Sequence, residues 1–500
     1  MIMVTAVVIC MIDVFARADF EVPRGSNEAR APYTFWILLL AVWGALDTVF
    51  LGGDLFTLYV ALELLTFGAV PLVSLDGRAE TLQAALRYLL FALFGSIFYL
   101  VGTALLYGSY GTLDVTLLAA RVSAAPATIV AVALMTAGLF AKTALFPLHL
   151  WLPPAHAGAP AAASAVLSAL VVKGSFFIVV RLWFDVMPAL PGFTAAQLPG
   201  VLGGAAILFG SVVALRQVRL KLLVAYSTLA QIGYLFLMFP LSFDTAVARL
   251  QHSSAVAGGI VQAASHATAK AAMFMVAGLI YEVLGHDRIG GLAGVWRVLP
   301  IGMLAFALAG VALIGLPPSG AYLAKALLLS ASTETSQWWW GAVVQAGGVL
   351  TSSYVLLVVM HAVLPAAEPV TRHVPVSRLR EAAALVLALC SLLLGVLPWQ
   401  GFVPAPATLP SIALTLGTFV SSLWPILAGG ALALLFARSE LRFADMPRFA
   451  LIVAAGARRT AIPLVDAAMR VDIALRQWLA AGLALLLVAI LLGAAIMAGR

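Results

Sequence analysis

Charge is scarce in this sequence: Asp, Glu, Lys and Arg make up 10% of its 500 residues, while 63% are hydrophobic. A soluble chain of this length carries roughly a quarter charged residues, so a soluble globular fold is excluded. Cysteine is scarcer still. Cys10 and Cys390 both lie in apolar runs and read as small core residues, which excludes a disulfide framework and a Cys-ligated metal or iron–sulfur cluster. No His/Glu cluster has metal-ligand spacing, no Gly-rich phosphate loop is present, and no nucleophile–base motif can be defended. The expectation is no cofactor, no metal, and no redox or hydrolytic chemistry in this chain. The net charge of +7 carries no nucleic-acid reading, because an excess of Arg belongs at the cytoplasmic ends of membrane helices. The start, "MIMVTAVVICMIDVFARADF", lacks a basic leader region and a small-residue cleavage site and reads as a first span.

Long apolar runs fill the rest. A β-barrel would alternate with period two, whereas "LRYLLFALFGSIFYLVGTALLYG" is continuous, so the fold class is an all-α polytopic membrane protein. Pro, Gly and charge boundaries give about 14 spans: 1–16, 33–52, 54–75, 83–108, 126–150, 159–185, 197–215, 220–241, 256–285, 295–332, 337–363, 381–401, 412–437 and 478–498. Residues 295–332 exceed one crossing and contain "LPPSG", which predicts a helix broken near mid-membrane; Pro147 predicts a second break. The chain divides into a first span and loop at 1–32, a core at 33–335, further spans at 336–437, a cytoplasmic segment at 438–477 and a last span at 478–500. In 438–477, apolar residues recur at helical spacing between Arg and Asp. That fits an amphipathic helix on the cytoplasmic surface or on a partner subunit, and equally a basic loop. Odd-numbered loops hold 20 Lys and Arg against 3 in even-numbered loops, which puts the odd loops in the cytoplasm and both termini on the outer face.

Lysine is the informative rarity. There are five, against 23 arginines, and four of them, Lys142, Lys173, Lys270 and Lys325, fall inside apolar spans; Lys221 sits at a loop. A mid-membrane Lys costs about 2.5 to 3.5 kcal/mol, so four total on the order of 10 kcal/mol, comparable to the stability of a domain. Each is therefore hydrated, paired or functional. A single one reads as well as a structural residue, snorkelling or fixed in an ion pair, as it does as a functional one. For four together the choice of Lys over Arg points to reversible protonation, because an ammonium loses its proton on burial and a guanidinium does not. Glu63 is the clearest intramembrane acid and a natural partner for Lys142. His266 and Lys270 are four apart, on one helix face. His149 follows Lys142 by two turns, with Pro147 opening the backbone between them. These groups suit an acid/Lys/His proton relay. His149 and His156 also read as hydrogen-bonded helix-end histidines, and His252, His286, His361 and His373 as peripheral. A polytopic enzyme or scaffold is the alternative of another class.

The stretches "GGDLFTLYVALELLTFG", "RYLLFALFGSIFYLVGTALLYGSYGTLD", "FAKTALFPLHLWLPPAHAGAPAAASAVLSALVVKGSFFIVVRL", "LRQVRLKLLVAYSTLAQIGYLF", "SHATAKAAMFMVAGLIYE" and "GLPPSGAYLAKALLL" occur at 45–335. They resemble the antiporter-like membrane subunits shared by respiratory complex I, membrane-bound hydrogenases and Mrp-type cation/proton antiporters. "GDLFTLYVALELL" and "YGSYGTLD" lean toward the Mrp D-type subunit. The resemblance implies two inverted five-helix repeats with two broken helices. It also implies a proton relay through Glu63, Lys142, His149, Lys173, His266, Lys270 and Lys325, with Lys325 on the exit side. Implied partners are other membrane subunits of an antiporter or complex I-like assembly, H⁺ with Na⁺ or K⁺, and the lipid bilayer of a bacterial inner membrane. In the family two further helices normally precede the matching region, so the chain is expected to begin at the third.

Overall fold

The computed structural model describes residues 1–20, 30–366, 373–403, 415–436 and 463–499. Among these, twelve helices are long and apolar enough to cross a membrane, and two shorter apolar helices, Ile2–Ala16 and Pro300–Ile314, complete the fourteen expected positions. The expected segment at 438–477 falls outside the described residues up to 462. One small exception to the all-helical pattern is a ladder of two residues each way, Phe243–Asp244 with Arg249–Leu250, in the loop after the eighth span.

The chain runs through α1 (Ile2–Ala16), α2 (Arg30–Leu51), α3 (Leu55–Val73) and α4 (Ala79–Tyr110). A surface turn, α5 (Val115–Arg121), leads to the first broken span, α6 (Pro126–Thr143) and α7 (Leu152–Gly158). Then come α8 (Ala161–Val186), α9 (Phe193–Leu215), α10 (Leu220–Leu241) and α11 (Ser254–Leu284). The second broken span is α12 (Pro300–Ile314) and α13 (Gly320–Glu334). A helix of 15 residues reaches about 22 Å, short of a hydrocarbon layer of about 30 Å, so neither half crosses alone. The last elements are α14 (Trp338–Val363), α15 (Arg378–Leu393), α16 (Trp424–Phe436), α17 (463–475) and α18 (Trp478–Ala498).

Both breaks are built alike. α6 stops at Thr143, where Ala144 takes φ 58° and Pro147 follows three residues on; α12 stops at Ile314, where Gly315 takes φ 88° and Pro318 follows three residues on. A left-handed residue ends the helix and proline keeps it from resuming. Ser319 then restarts the second span by accepting the Tyr322 N–H at 3.1 Å.

Small residues set the helix spacing. Without a hydrophobic drive between helices in lipid, association depends on close packing. At the α4–α6 crossing a Cβ on Gly95 or Gly138 collides with the other's carbonyl oxygen, so only glycine permits this approach. It brings Ser96 and Lys142 to the same place between the helices. Cys10 faces outward rather than into the core, because α1 turns that side away from its neighbours.

Loop contacts respect the odd–even division of the sequence. Arg78 reaches the Gly158 carbonyl, Arg219 the Ala157 carbonyl, and Arg216 pairs with Asp466, all joining odd loops or the helix ends that flank them. Asp54 bridges Asp114, and Leu250 N–H bonds the Pro188 carbonyl, joining even ones. The largest of these ties is Arg380, which bonds both Asp19 oxygens (2.7 and 2.9 Å) and both Glu282 oxygens (2.8 and 2.6 Å) and lies 4.6 Å over the Phe15 ring. It pins α1, α11 and α15 together. Burial pushes the Asp19 carboxyl up to about 6; Arg380 opposes the shift and Glu282 adds to it.

Arg380→Ala leaves two partly buried carboxylates without their cation and is expected to lower stability by about 2 to 4 kcal/mol, read as loss of melting temperature in detergent. Because the folded-state value of Asp19 is raised, its favourable contribution is complete below about pH 4 and disappears as pH rises through about 6. Melting temperature should fall across that window in the wild type, and Asp19→Asn should flatten the fall.

Candidate functional site

Glu63 of α3 and Lys142 of α6 meet as the sequence suggested, with Lys142 Nζ 3.1 Å from Glu63 Oε1. The ammonium also donates to Thr66 Oγ1 at 2.8 Å and to the Leu62 carbonyl at 3.3 Å, and Ser96 donates to Glu63 Oε1. Three oxygens satisfy the three donors of the ammonium. A cavity of about 10 Å³ lined by Thr66, Tyr88, Lys142 and Ser175 adjoins the pair, close to the space of one water. Thr143 next to Lys142 donates to Ser175 Oγ at 2.9 Å, which links this end to α8.

Lys173, only 1% exposed, lies on α8 just past a π-helical turn at Leu167–Val171. Its Nζ donates to the Ser168 carbonyl at 2.5 Å. An i→i+5 turn displaces carbonyls from their α-helical partners, and such turns recur at functional sites. Ser168 Oγ meets Thr228 Oγ1 of α10 at 2.8 Å, and Thr228 donates to the Val224 carbonyl at 2.9 Å. The same carbonyl accepts Lys270 Nζ of α11 at 3.3 Å, and Lys270 also donates to Ser227 Oγ. Further along, Gln262 donates to Gln231 at 2.8 Å, and Gln231 to Thr351 at 3.2 Å and Tyr354 at 3.3 Å. Lys325 of α13 closes the row by donating to the Leu313 and Ile314 carbonyls, at 3.2 and 2.8 Å, and lies 4.8 Å over the Tyr234 ring. Those two carbonyls end α12, where no further turn supplies N–H groups.

A row of buried ammonium groups strung between two broken helices has counterparts among known proteins. Residues 52–351 match the family described as NADH:quinone oxidoreductase/Mrp antiporter, TM. The chain belongs to this family. It is 33% identical over 309 residues to NADH-quinone oxidoreductase subunit N of Desulforudis audaxviator (strain MP104C), covering 61% of this chain and 60% of the relative. It is 29% identical over 316 residues to the D-type subunit of the Na⁺/H⁺ antiporter of Alkalihalophilus pseudofirmus, covering 62% of each. The matched region thus spans about three-fifths of these relatives. The Mrp complex of Dietzia sp. DQ12-45-1b has a chain of the same fold, with TM-score 0.68, 23% identity, and coverage of 87% of this chain and 83% of that one. The protein is a multi-pass membrane protein of the antiporter/complex I family.

Within this family member the histidines part company with the lysines. His266 is fully buried on the Lys270 helix, yet neither ring nitrogen has a hydrogen-bond partner among the described residues. His156 is likewise buried and unpaired there, stacked 4.5 Å from Phe274, and so is not the hydrogen-bonded helix-end residue expected of it. His149 lies beyond the break, off the α6 helix, so its distance from Lys142 in sequence does not translate into two helical turns. Its Nε2 sits 3.1 Å from Asp472 Oδ1. Lys221, expected at a loop, is buried with Nζ 3.1 Å from the Ala159 carbonyl.

Asp472 was not singled out by its sequence. It lies on α17, within a segment read as surface or partner-facing, but is completely buried in this chain. Tyr226 OH donates to Asp472 Oδ2 at 2.7 Å, and Arg476 lies 2.8 Å from the same oxygen. Burial raises its carboxyl, but the His149 ring, the Arg476 guanidinium and the Tyr226 hydroxyl outweigh burial and hold it below the usual carboxylate range. Val465, Met469 and Asp472 share one face of α17, and this spacing was the available signal.

Gly138→Val forces α4 and α6 apart and stretches the Glu63–Lys142 pair. The expected loss is about 1 to 3 kcal/mol by thermal unfolding, whereas Gly108→Ala, where an added Cβ meets nothing within 4 Å, should be nearly neutral.

Proposed function

We propose that this chain is the proton-translocating subunit of a multisubunit Mrp-type monovalent cation/proton antiporter, moving H⁺ along Glu63, Lys142, Lys173, Lys270 and Lys325. The observation that carries the reading is the row of four buried lysines, each bonded to backbone oxygen and joined in its middle by Ser168, Thr228 and Val224. Lysine in such a setting exchanges a proton where arginine keeps it. Lys142 holds its proton while Glu63 is near; the charge passes through Lys173 and Lys270, and Lys325 governs release on the other side. His266 and His149 complete the set, His266 inside the axis and His149 at its flank. Na⁺ or K⁺ is the exchanged ion, other membrane subunits complete the machine, and the bacterial inner membrane holds it with both termini outside. The outward orientation follows the Arg-rich odd loops.

The Mrp assignment rests on the likeness to the D-type antiporter subunit and to the Mrp complex chain. A second reading, a pumping subunit of a complex I-like or hydrogenase assembly, is favoured by the identity to subunit N of an NADH-quinone oxidoreductase. Copurified subunits separate the two: iron–sulfur or flavin subunits speak for the second, further antiporter subunits for the first.

In inverted vesicles containing the full complex, Lys173→Ala and Glu63→Ala are each expected to cut Na⁺- or K⁺-driven proton movement to roughly a tenth or less while the complex assembles. Unchanged flux in assembled mutants makes the lysines structural and ends the relay reading.

A further inference from the structure

The described part of the 438–477 segment brings a carboxylate to the first helix break. α17 is tied at one end by Arg216 to Asp466 (3.1 Å) and at the other by Asp472, which is held by His149, Tyr226 and Arg476 together. A carboxylate only accepts, so His149 Nε2 must carry the proton facing Asp472. The other ring nitrogen, Nδ1, is buried without a hydrogen-bond partner among the described residues. The result is an imidazole fixed in one tautomer, with a free lone pair on Nδ1 and a counter-charge behind it.

We infer that Asp472 is a positioning residue for proton transfer at His149, holding the ring so that Nδ1 alone takes up and gives back a proton. A proton arriving at Nδ1 turns the imidazole into imidazolium, which the Asp472 carboxylate stabilises; its departure from Nδ1 restores the starting tautomer. The Nε2–H stays on the ring and hydrogen-bonded to Asp472 throughout, so no proton passes to the carboxylate. A carboxylate behind a histidine fixes ring orientation and raises basicity elsewhere in proteins by this same geometry. Among the described residues, the charged and titratable groups of this assembly are Asp472, which bonds the ring, and Arg476 of the α17 segment and Tyr226 of α10, which bond Asp472. Phe209 of α9 and Phe146 of the connector flank it as rings, each 5.7 Å away. Tyr226 precedes Ser227, which receives Lys270, so α10 carries both the His149 assembly and one lysine of the row. The inference rests on the proton-relay reading above and adds a residue to it.

The test compares wild type, Asp472→Asn, Asp472→Glu, His149→Ala and Lys173→Ala in the full complex, by cation-driven proton flux from pH 5.5 to 9 in inverted vesicles and by ¹⁵N-histidine NMR of the purified protein. Asp472→Asn keeps an acceptor for Nε2–H but removes the charge. An amide also donates, so the ring is no longer held in one tautomer: the His149 ¹⁵N signals should show Nδ1–H beside Nε2–H, and flux should fall roughly tenfold. Asp472→Glu should restore most of both. An unchanged His149 tautomer, an unchanged flux, or equal loss in both the Asn and Glu variants overturns the inference. Lys173→Ala reports separately on the relay reading: flux that survives it ends that reading, and the Asp472 variants still decide this one.

Discussion

An ammonium group held out of water needs oxygen atoms around it, and an α-helix has already committed most of its backbone oxygens. The rest of this structure follows from that conflict. Each of the four intramembrane lysines donates to a backbone carbonyl, and each carbonyl is set free or shared in a different way. Lys325 uses the two last carbonyls of a helix that stops inside the fold. Lys173 uses a carbonyl in a π-helical turn five residues behind it. Lys142 and Lys270 use carbonyls on neighbouring helices, with Thr66 and Ser227 as second acceptors. Breaks and bulges, which weaken a helix in isolation, are thus the means by which a polar row exists in an apolar core.

Close helix packing brings the members of the row toward one another. Gly95 against Gly138, and Gly203 against Gly233, bring α4 to α6 and α9 to α10 nearer than any residue with a Cβ permits. At the first crossing the gain is a lysine and a carboxylate at bonding distance. Between them and Lys270 lie two hydroxyl pairs, Thr143–Ser175 and Ser168–Thr228, of groups that donate and accept with equal ease. Among the described residues, Glu63 is the one acid within ion-pair distance of these four lysines. The others are stabilised by dipoles, which satisfy a charge without locking it as a carboxylate does.

The C-terminal segment adds a different kind of contact. α17 buries Val465 and Asp472, packs Met469 partly against the core and turns Leu464, Val471 and Ile473 outward. Its inner face thereby joins the first break to α10, so a segment that reads as peripheral in sequence supports the backbone at that break.

The sequence by itself determined the class, the positions of the fourteen spans, both breaks, and that Lys142, Lys173, Lys270 and Lys325 lie inside. Apolar length, proline position and the rarity of charge are local properties, and in lipid the backbone has almost no structure open to it but the helix. The Glu63–Lys142 pairing was legible for a similar reason, since a lone acid among apolar residues has few partners. What only the tertiary structure decided was where each donor finds its acceptor. The π-turn before Lys173 leaves no mark in "LSALVVKGS", Lys221 is buried although it sits at the loop end of its helix, and Asp472 meets His149 across 323 residues of chain. Hydrogen bonds have a reach of about 3 Å and a direction, and both are set by how helices cross rather than by what each helix contains.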